Sequence, residues 1–158
     1  MSLHALQQQV ARALTGQADG QADSGNDPGL ILASEVLVAK RRVEAASWLP
    51  RTSRTLGTDF TRRFAEHARS YRPRGWNHPR DDAIAFASLV VADRSLTQMI
   101  RNLAAYEHAQ TRAAAPGPLF IAHHWQHDPA RTDAGPGTHL WWRWGRRARL
   151  CHLQLPWG

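Results

Sequence analysis

Apolar residues recur every three to four positions along most of the first 110 residues. Leu3, Leu6, Val10 and Leu14 share one side of a helix that Ser2 caps and Gly16 stops. Leu32, Val36, Ala39, Val43 and Ala46 mark a second helix from about Ile31 to Trp48, with Lys40, Arg41 and Arg42 on its outer side. Phe60, Phe64, Ala68 and Tyr71 mark another from Thr58 to Tyr71, away from Arg62, Arg63 and Arg69. Asp81 is placed to cap a helix carrying Ile84, Phe86, Leu89 and Val90. Asp93 is placed to cap one carrying Leu96, Met99, Ile100, Leu103 and Tyr106.

Breakers punctuate these runs. Pro50 ends or bends the second helix, and Arg51 to Leu56 forms a short helix before Gly57. Gly57 supplies the left-handed conformation that ends a helix, and Thr58 caps the next, which buries Phe60. Residues 16–29 repeat Gly-Gln-Ala-Asp and read as a flexible loop; Arg72 to Arg80 reads as another loop.

Past Ala115-Pro-Gly-Pro118 the pattern changes. Leu119 to Trp125 is apolar and aromatic. His139 to Trp144 and Arg147 to Leu155 read as two strands around Gly145-Arg146, with glycine at the first central position of a type II′ turn. The expected class is α+β: five or six helices, then a small antiparallel sheet of three strands. The expected division is a helical domain over 1–115 and a small β domain over 116–158.

Composition adds a partner class. The chain of 158 residues carries a net charge of +7, and 19 of its 20 basic residues are Arg. The segment 41–80 alone holds ten basic and three acidic residues, which is the charge of the whole chain. That balance points to an acidic partner, whether nucleic acid, an anionic peptide or a protein face, although a GC-rich coding sequence gives the same Arg-rich composition. A single cysteine, Cys151, forms no intrachain disulfide and fits a reducing compartment. The N-terminus lacks a basic start followed by an apolar run. No apolar run approaches the length of a membrane span, so the expectation is a cytoplasmic protein with no membrane partner.

Candidate chemistry is sparse. The tail holds five of the seven Trp, with Arg143, Arg146, Arg147 and Arg149 among them. Trp141 and Trp142 are consecutive, so on a strand they face opposite sides. With a two-residue turn, Trp142 stands across from Arg149, within reach of a cation–π contact. Two readings of these Trp stand level: a thin core that only large rings can fill, or a binding edge for an extended peptide. His123, His124 and His127, with Asp128, His139 and His152, invite a metal site, but ordinary turn histidines are the favoured reading. No Gly-x-Ser-x-Gly elbow or Walker loop is present, and Asp81-Asp82 reads as a helix start. Cys151 has basic and His neighbours in sequence but reads as packing. No enzyme emerges.

The framework residues carry a family resemblance. Trp48-Leu-Pro50, Leu56-Gly57, Asp59-Phe60, Tyr71 with Pro73, Asp82-Ala-Ile-Ala-Phe86 and Leu103-Ala-Ala-Tyr-Glu107-His-Ala resemble the N-terminal domain of the HvfC/BufC-type peptide-modification chaperones. Ala105-Tyr-Glu107-His-Ala109 is similar to the Leu-Glu-Trp-Ala-like motif that closes that domain. The tail, Leu140-Trp-Trp-Arg-Trp with Leu150-Cys-His-Leu-Gln-Leu-Pro156, is similar to the small C-terminal domain of actinobacterial members. Trp48-Leu49 stands where a Phe usually precedes the Pro, and Ala39 where a Tyr is common.

The resemblance implies a non-catalytic partner of a multinuclear non-haem iron oxidase of TIM-barrel type, one that helps hold a ribosomally made precursor peptide. The iron would belong to the partner enzyme, with no cofactor or metal in this chain. On that reading Trp141, Trp142, Arg143, Trp144 and Arg149 form the peptide-facing surface. Arg41, Arg42, Arg51, Arg54, Arg62 and Arg63 belong to the face that docks on the enzyme. The alternative is a DNA-binding regulator, with a helix-turn-helix around Gly57 whose Arg51, Arg54, Arg62 and Arg63 meet phosphates and the tail hairpin as a wing.

Overall fold

A computed structural model describes residues 28–73, 77–126, 128–129 and 135–156. The helix expected over Ser2 to Leu14, most of the 16–29 loop, and His127 lie outside the described residues. Among the described residues five helices come first: α1 (Pro28–Trp48), α2 (Pro50–Leu56), α3 (Thr58–Ser70), α4 (His78–Ala92) and α5 (Gln98–Ala113). Three strands follow, β1 (Leu119–Trp125), β2 (Gly137–Arg143) and β3 (Cys151–Pro156), in an antiparallel sheet of order β1-β2-β3. The class is α+β, as the periodicity predicts.

The Pro50–Phe60 punctuation folds as its residue types dictate, with one change. Pro50 sits at the first position of α2 after the non-helical Leu49. Gly57, at φ 56° and ψ −124°, ends α2 and begins α3, and its N–H donates to Ser53 O at 3.0 Å. Only glycine takes that backbone without strain. Thr58 is therefore already inside α3, and Gly57 holds the cap position with no side-chain bond.

Two other caps also move. Asn77, not Asp81, caps α4: its side chain accepts from the backbone N–H of Arg80 at 3.2 Å. Asp81 lies in the first turn, where the helix dipole favours a carboxylate. Thr97 caps α5, accepting from the N–H of Ile100 at 3.4 Å. Asp93 instead closes α4 and organises the turn after it, accepting from the Ser95 N–H at 2.8 Å and hydroxyl at 2.6 Å.

The face of α1 differs from its periodicity. Leu32, Val36 and Val43 are exposed, Val36 by 61%. The inner side carries half-buried Val38 and Arg41, then Ala45 and Leu49. Arg41 is two positions from Ala39, about 200° around a helix, so the side expected to face solvent faces the bundle. The cause is Asp82, fully buried on α4. Arg41 donates to it through Nε at 2.9 Å and Nη2 at 2.7 Å, and also reaches the carbonyls of Ala68 and Tyr71. A buried carboxylate demands such a partner, and that demand outranks one apolar stripe.

Two cores result. Phe60, Phe64 and Phe86 fill the first, with ring centroids 5.0–6.0 Å apart, closed by Leu49, Leu56, Val90 and Ala104. Tyr106, Ala109 and Ala113 of α5 form the second with Ile121, Trp125 and Trp141 of the sheet. Helix α5 thus serves both, and it fixes where the sheet lies.

Candidate functional site

Strand alternation sorts the sheet into two faces. Ile121, His123 and Trp125 of β1 share the inner face with His139 and Trp141 of β2 and His152 and Gln154 of β3. The outer face carries Phe120, Ala122, Leu140, Trp142, Cys151, Leu153 and Leu155.

The inner face is a ring stack with a polar thread. Trp141, 2% exposed, stacks on His152 at 4.7 Å and on His139 at 5.4 Å. His139 Nε2 lies 2.7 Å from the Asp128 carboxylate, both buried, and its Nδ1 lies 3.0 Å from Nε2 of His152. Gln154 donates to the same Asp128 oxygen at 2.9 Å. In the neutral pair the carboxylate accepts from His139 Nε2–H, so His139 Nδ1 accepts from His152. Burial lowers the His152 pKa, the His139 ring lowers it further, and Asp128 partly offsets both. Burial also lowers that of His123, helped by Arg112 and His139. His124 lies on the outer face against the Thr138 hydroxyl at 2.9 Å. Among the described residues no three metal-ligating side chains converge.

The outer face is apolar and open. Leu119, Phe120, Leu140, Trp142 and Trp144 line a groove of about 290 Å³. Phe120 is 73% exposed and Trp144 88%. Beside the groove, β3 is an edge strand with no charged residue from Cys151 to Leu155, where edges are commonly guarded by charge, Pro or a bulge. Phe120 and Leu140 were missed in the sequence; they stand out only once the β1–β2 register is known.

The hairpin after β2 is looser than its sequence implies. Gly145 does not have a positive φ, so no type II′ turn forms. Residues 144–150 make the connection, with a turn from Gly145 to Ala148, and Trp142 stands opposite Cys151 rather than Arg149. Arg146, Arg147 and Arg149 remain in solvent. The slip from the expected register is two residues, which leaves each β3 side chain on its expected face.

The five tail residues assigned to a peptide surface therefore divide. Trp142, Trp144 and Arg149 reach outward, and Trp141 belongs to the core. Arg143 donates to the carbonyls of Ala113, Ala115 and Gly117, capping the C-terminal end of α5.

The six arginines assigned to docking divide too. Arg41 is committed to Asp82. Arg62 pairs with Asp59 and Glu66, and Arg63 with Asp59 and with Asp93 at 2.5 Å. Arg51 donates to Pro129 O. Arg42 and Arg54 make no side-chain bond among the described residues. The +7 of residues 41–80 is thus partly met by Asp82 and Asp93, which lie outside that segment.

Glu107, in the motif Ala105-Tyr-Glu107-His-Ala109, has a plain structural task. The Glu107 carboxylate, buried on α5, accepts from the backbone N–H of Arg51 and of Thr52, both at 2.8 Å. It caps α2, which Leu49 leaves without a side-chain cap.

The family model described as SCO6045-like, C-terminal domain, matches residues 4–92. The chain belongs to that family. The SCO6045-like match spans the segment before α1 through the end of α4, while α5 and the sheet lie beyond it. No curated protein and no solved structure matches this SCO6045-like chain.

Proposed function

We propose that this chain is a non-catalytic adaptor that holds a precursor peptide against the outer face of its sheet and docks on a multinuclear iron oxidase. The observation that carries the reading is the open apolar face beside an edge strand with no charged side chain from Cys151 to Leu155. An extended peptide gains backbone hydrogen bonds along β3 and places alternate side chains beside Cys151, Leu153 and Leu155, on the apolar face they share with Trp142.

The resemblance of the 30–110 region to HvfC/BufC-type chaperones supports the enzyme partner. Within the stretch that carries the resemblance, Glu107 ties α5 to the helix that begins at Pro50. Arg42, Arg51 and Arg54 are the arginines of this region best placed to meet an acidic enzyme surface. The regulator reading assigns Arg62 and Arg63 to phosphates, yet both already hold carboxylates. Binding of a Cys-containing precursor peptide, measured with Trp142→Ala and Trp144→Ala, tests the groove. Loss of affinity in folded variants supports it; unchanged affinity removes the groove from the site.

A further inference from the structure

Strand β3 offers two different faces along its open edge. Cys151, Leu153 and Leu155 lie on the outer, apolar side, and His152 and Gln154 on the inner side. All five are exposed. A peptide strand laid along β3 sets alternate residues beside the leucines, and the residues between them beside His152 and Gln154.

His152 is the solvent end of a buried chain of hydrogen bonds. Asp128 is 2% exposed and His139 0%. Both ring nitrogens of His139 are engaged, Nε2 with Asp128 at 2.7 Å and Nδ1 with His152 Nε2 at 3.0 Å. A proton arriving from solvent therefore lands on His152, whose Nδ1 makes no bond among the described residues. That proton leaves the Nε2–H bond to His139 in place. The imidazolium then lies over the Trp141 ring, 4.7 Å away and within 5° of parallel, where a cation is favoured. From β2, His139 opposes the charge, and from the segment after β1, Asp128 favours it. On β3 itself Gln154 is uncharged and the Cys151 thiol lies on the opposite face.

Burial and His139 outweigh Asp128, so His152 is neutral near pH 7 in the chain alone. One added anion beside the ring shifts that balance. The surroundings favour an anionic strand. Arg146, Arg147 and Arg149 stand in solvent just before β3, and no acidic residue occurs from Gly135 to Pro156.

We propose that the bound peptide sets a carboxylate side chain beside His152 and that the two bind as an ion pair whose formation takes up a proton. This rests on the reading of β3 as a peptide edge and adds a sequence class to it: apolar residues alternating with at least one Asp or Glu, held more tightly as pH falls.

The test uses labelled extended peptides of alternating Leu and Ser, with one central Ser replaced by Glu or Gln, read by fluorescence anisotropy against the full chain. From about pH 8 to about pH 5.5 the Glu peptide is expected to gain about fivefold in affinity and the Gln peptide to stay level. His152→Gln, at an exposed site, is expected to remove the gain, and Arg149→Gln to keep it. Titration calorimetry of the unaltered chain in two buffers of different ionisation heat is expected to show proton uptake with the Glu peptide only, a readout that decides even where His152→Gln does not fold. A pH response shared by both peptides, a Glu response that survives His152→Gln, or no proton uptake overturns the pairing. In those cases weaker binding by Trp142→Ala still upholds the edge, whereas absence of binding by either peptide at any pH overturns both.

Discussion

Glu107 and Thr52, fifty-five positions apart, are joined by a 2.8 Å bond from the Thr52 backbone N–H to the Glu107 carboxylate. The other carboxylate oxygen takes the N–H of Arg51, so one α5 side chain closes the open start of α2. Replacing Glu107 with Ala strands two N–H groups and is expected to cost about 2–4 kcal/mol. Glu107→Gln retains one acceptor and is expected to cost less. Urea unfolding midpoints at a shared slope check the order.

Gly57 gives a cleaner test of backbone strain. A Cβ there would meet nothing within 4 Å, so the cost of Gly57→Ala comes from its φ of 56° and ψ of −124° alone. The expected destabilisation is about 1–3 kcal/mol. A neutral result in thermal or urea unfolding would show that the α2–α3 junction relaxes.

The Arg41–Asp82 pair predicts an asymmetry. Arg41→Met leaves the buried carboxylate with only His67, 3.7 Å away, and is expected to cost about 3–5 kcal/mol. The double variant Arg41→Met with Asp82→Leu is expected to recover much of that loss. A double-mutant cycle checks the coupling.

Stability is expected to fall on acidification in two stages. Burial depresses the His108, His123 and His152 pKa values below 6.5. The unfolded chain then binds more protons just below pH 6.5, so stability is full above that value and declines as pH drops beneath it. Bonds from the Ser95 hydroxyl and N–H, then Arg63, hold Asp93 at about 2. Burial pushes Asp82 up, but the bonds from Arg41 and the nearby His67 ring outweigh it and the net shift is downward. These carboxylates contribute above pH 3.8, and their share is lost as pH falls from there toward about 2. Unfolding free energy measured from pH 8 to 2 checks both stages, and His152→Gln is expected to flatten the first.

The helices were legible because they repeat a 3.6-residue period over long runs, and the aromatic core of Phe60, Phe64 and Phe86 follows from that period. The side that α1 buries was not legible. It depends on Asp82, forty-one residues from Arg41, and on a buried charge finding its partner. Cap positions misled for a related reason: Asp81 and Asp93 look like caps locally, but Asn77 and Thr97 hold the positions where the helices begin. In the tail, alternation separated Trp141 from Trp142 correctly, whereas the pairing of Trp142 with Arg149 assumed a turn that Gly145 does not make. The groove came from Phe120 and Leu140, whose neighbours only the register reveals.

The adaptor reading stands or falls on association. The tagged chain, co-expressed with a TIM-barrel multinuclear iron oxidase and a Cys-containing precursor peptide from its own gene neighbourhood, is expected to co-purify with the oxidase as a complex. No association with the oxidase, together with duplex-DNA binding that weakens steeply as salt rises, would contradict the account.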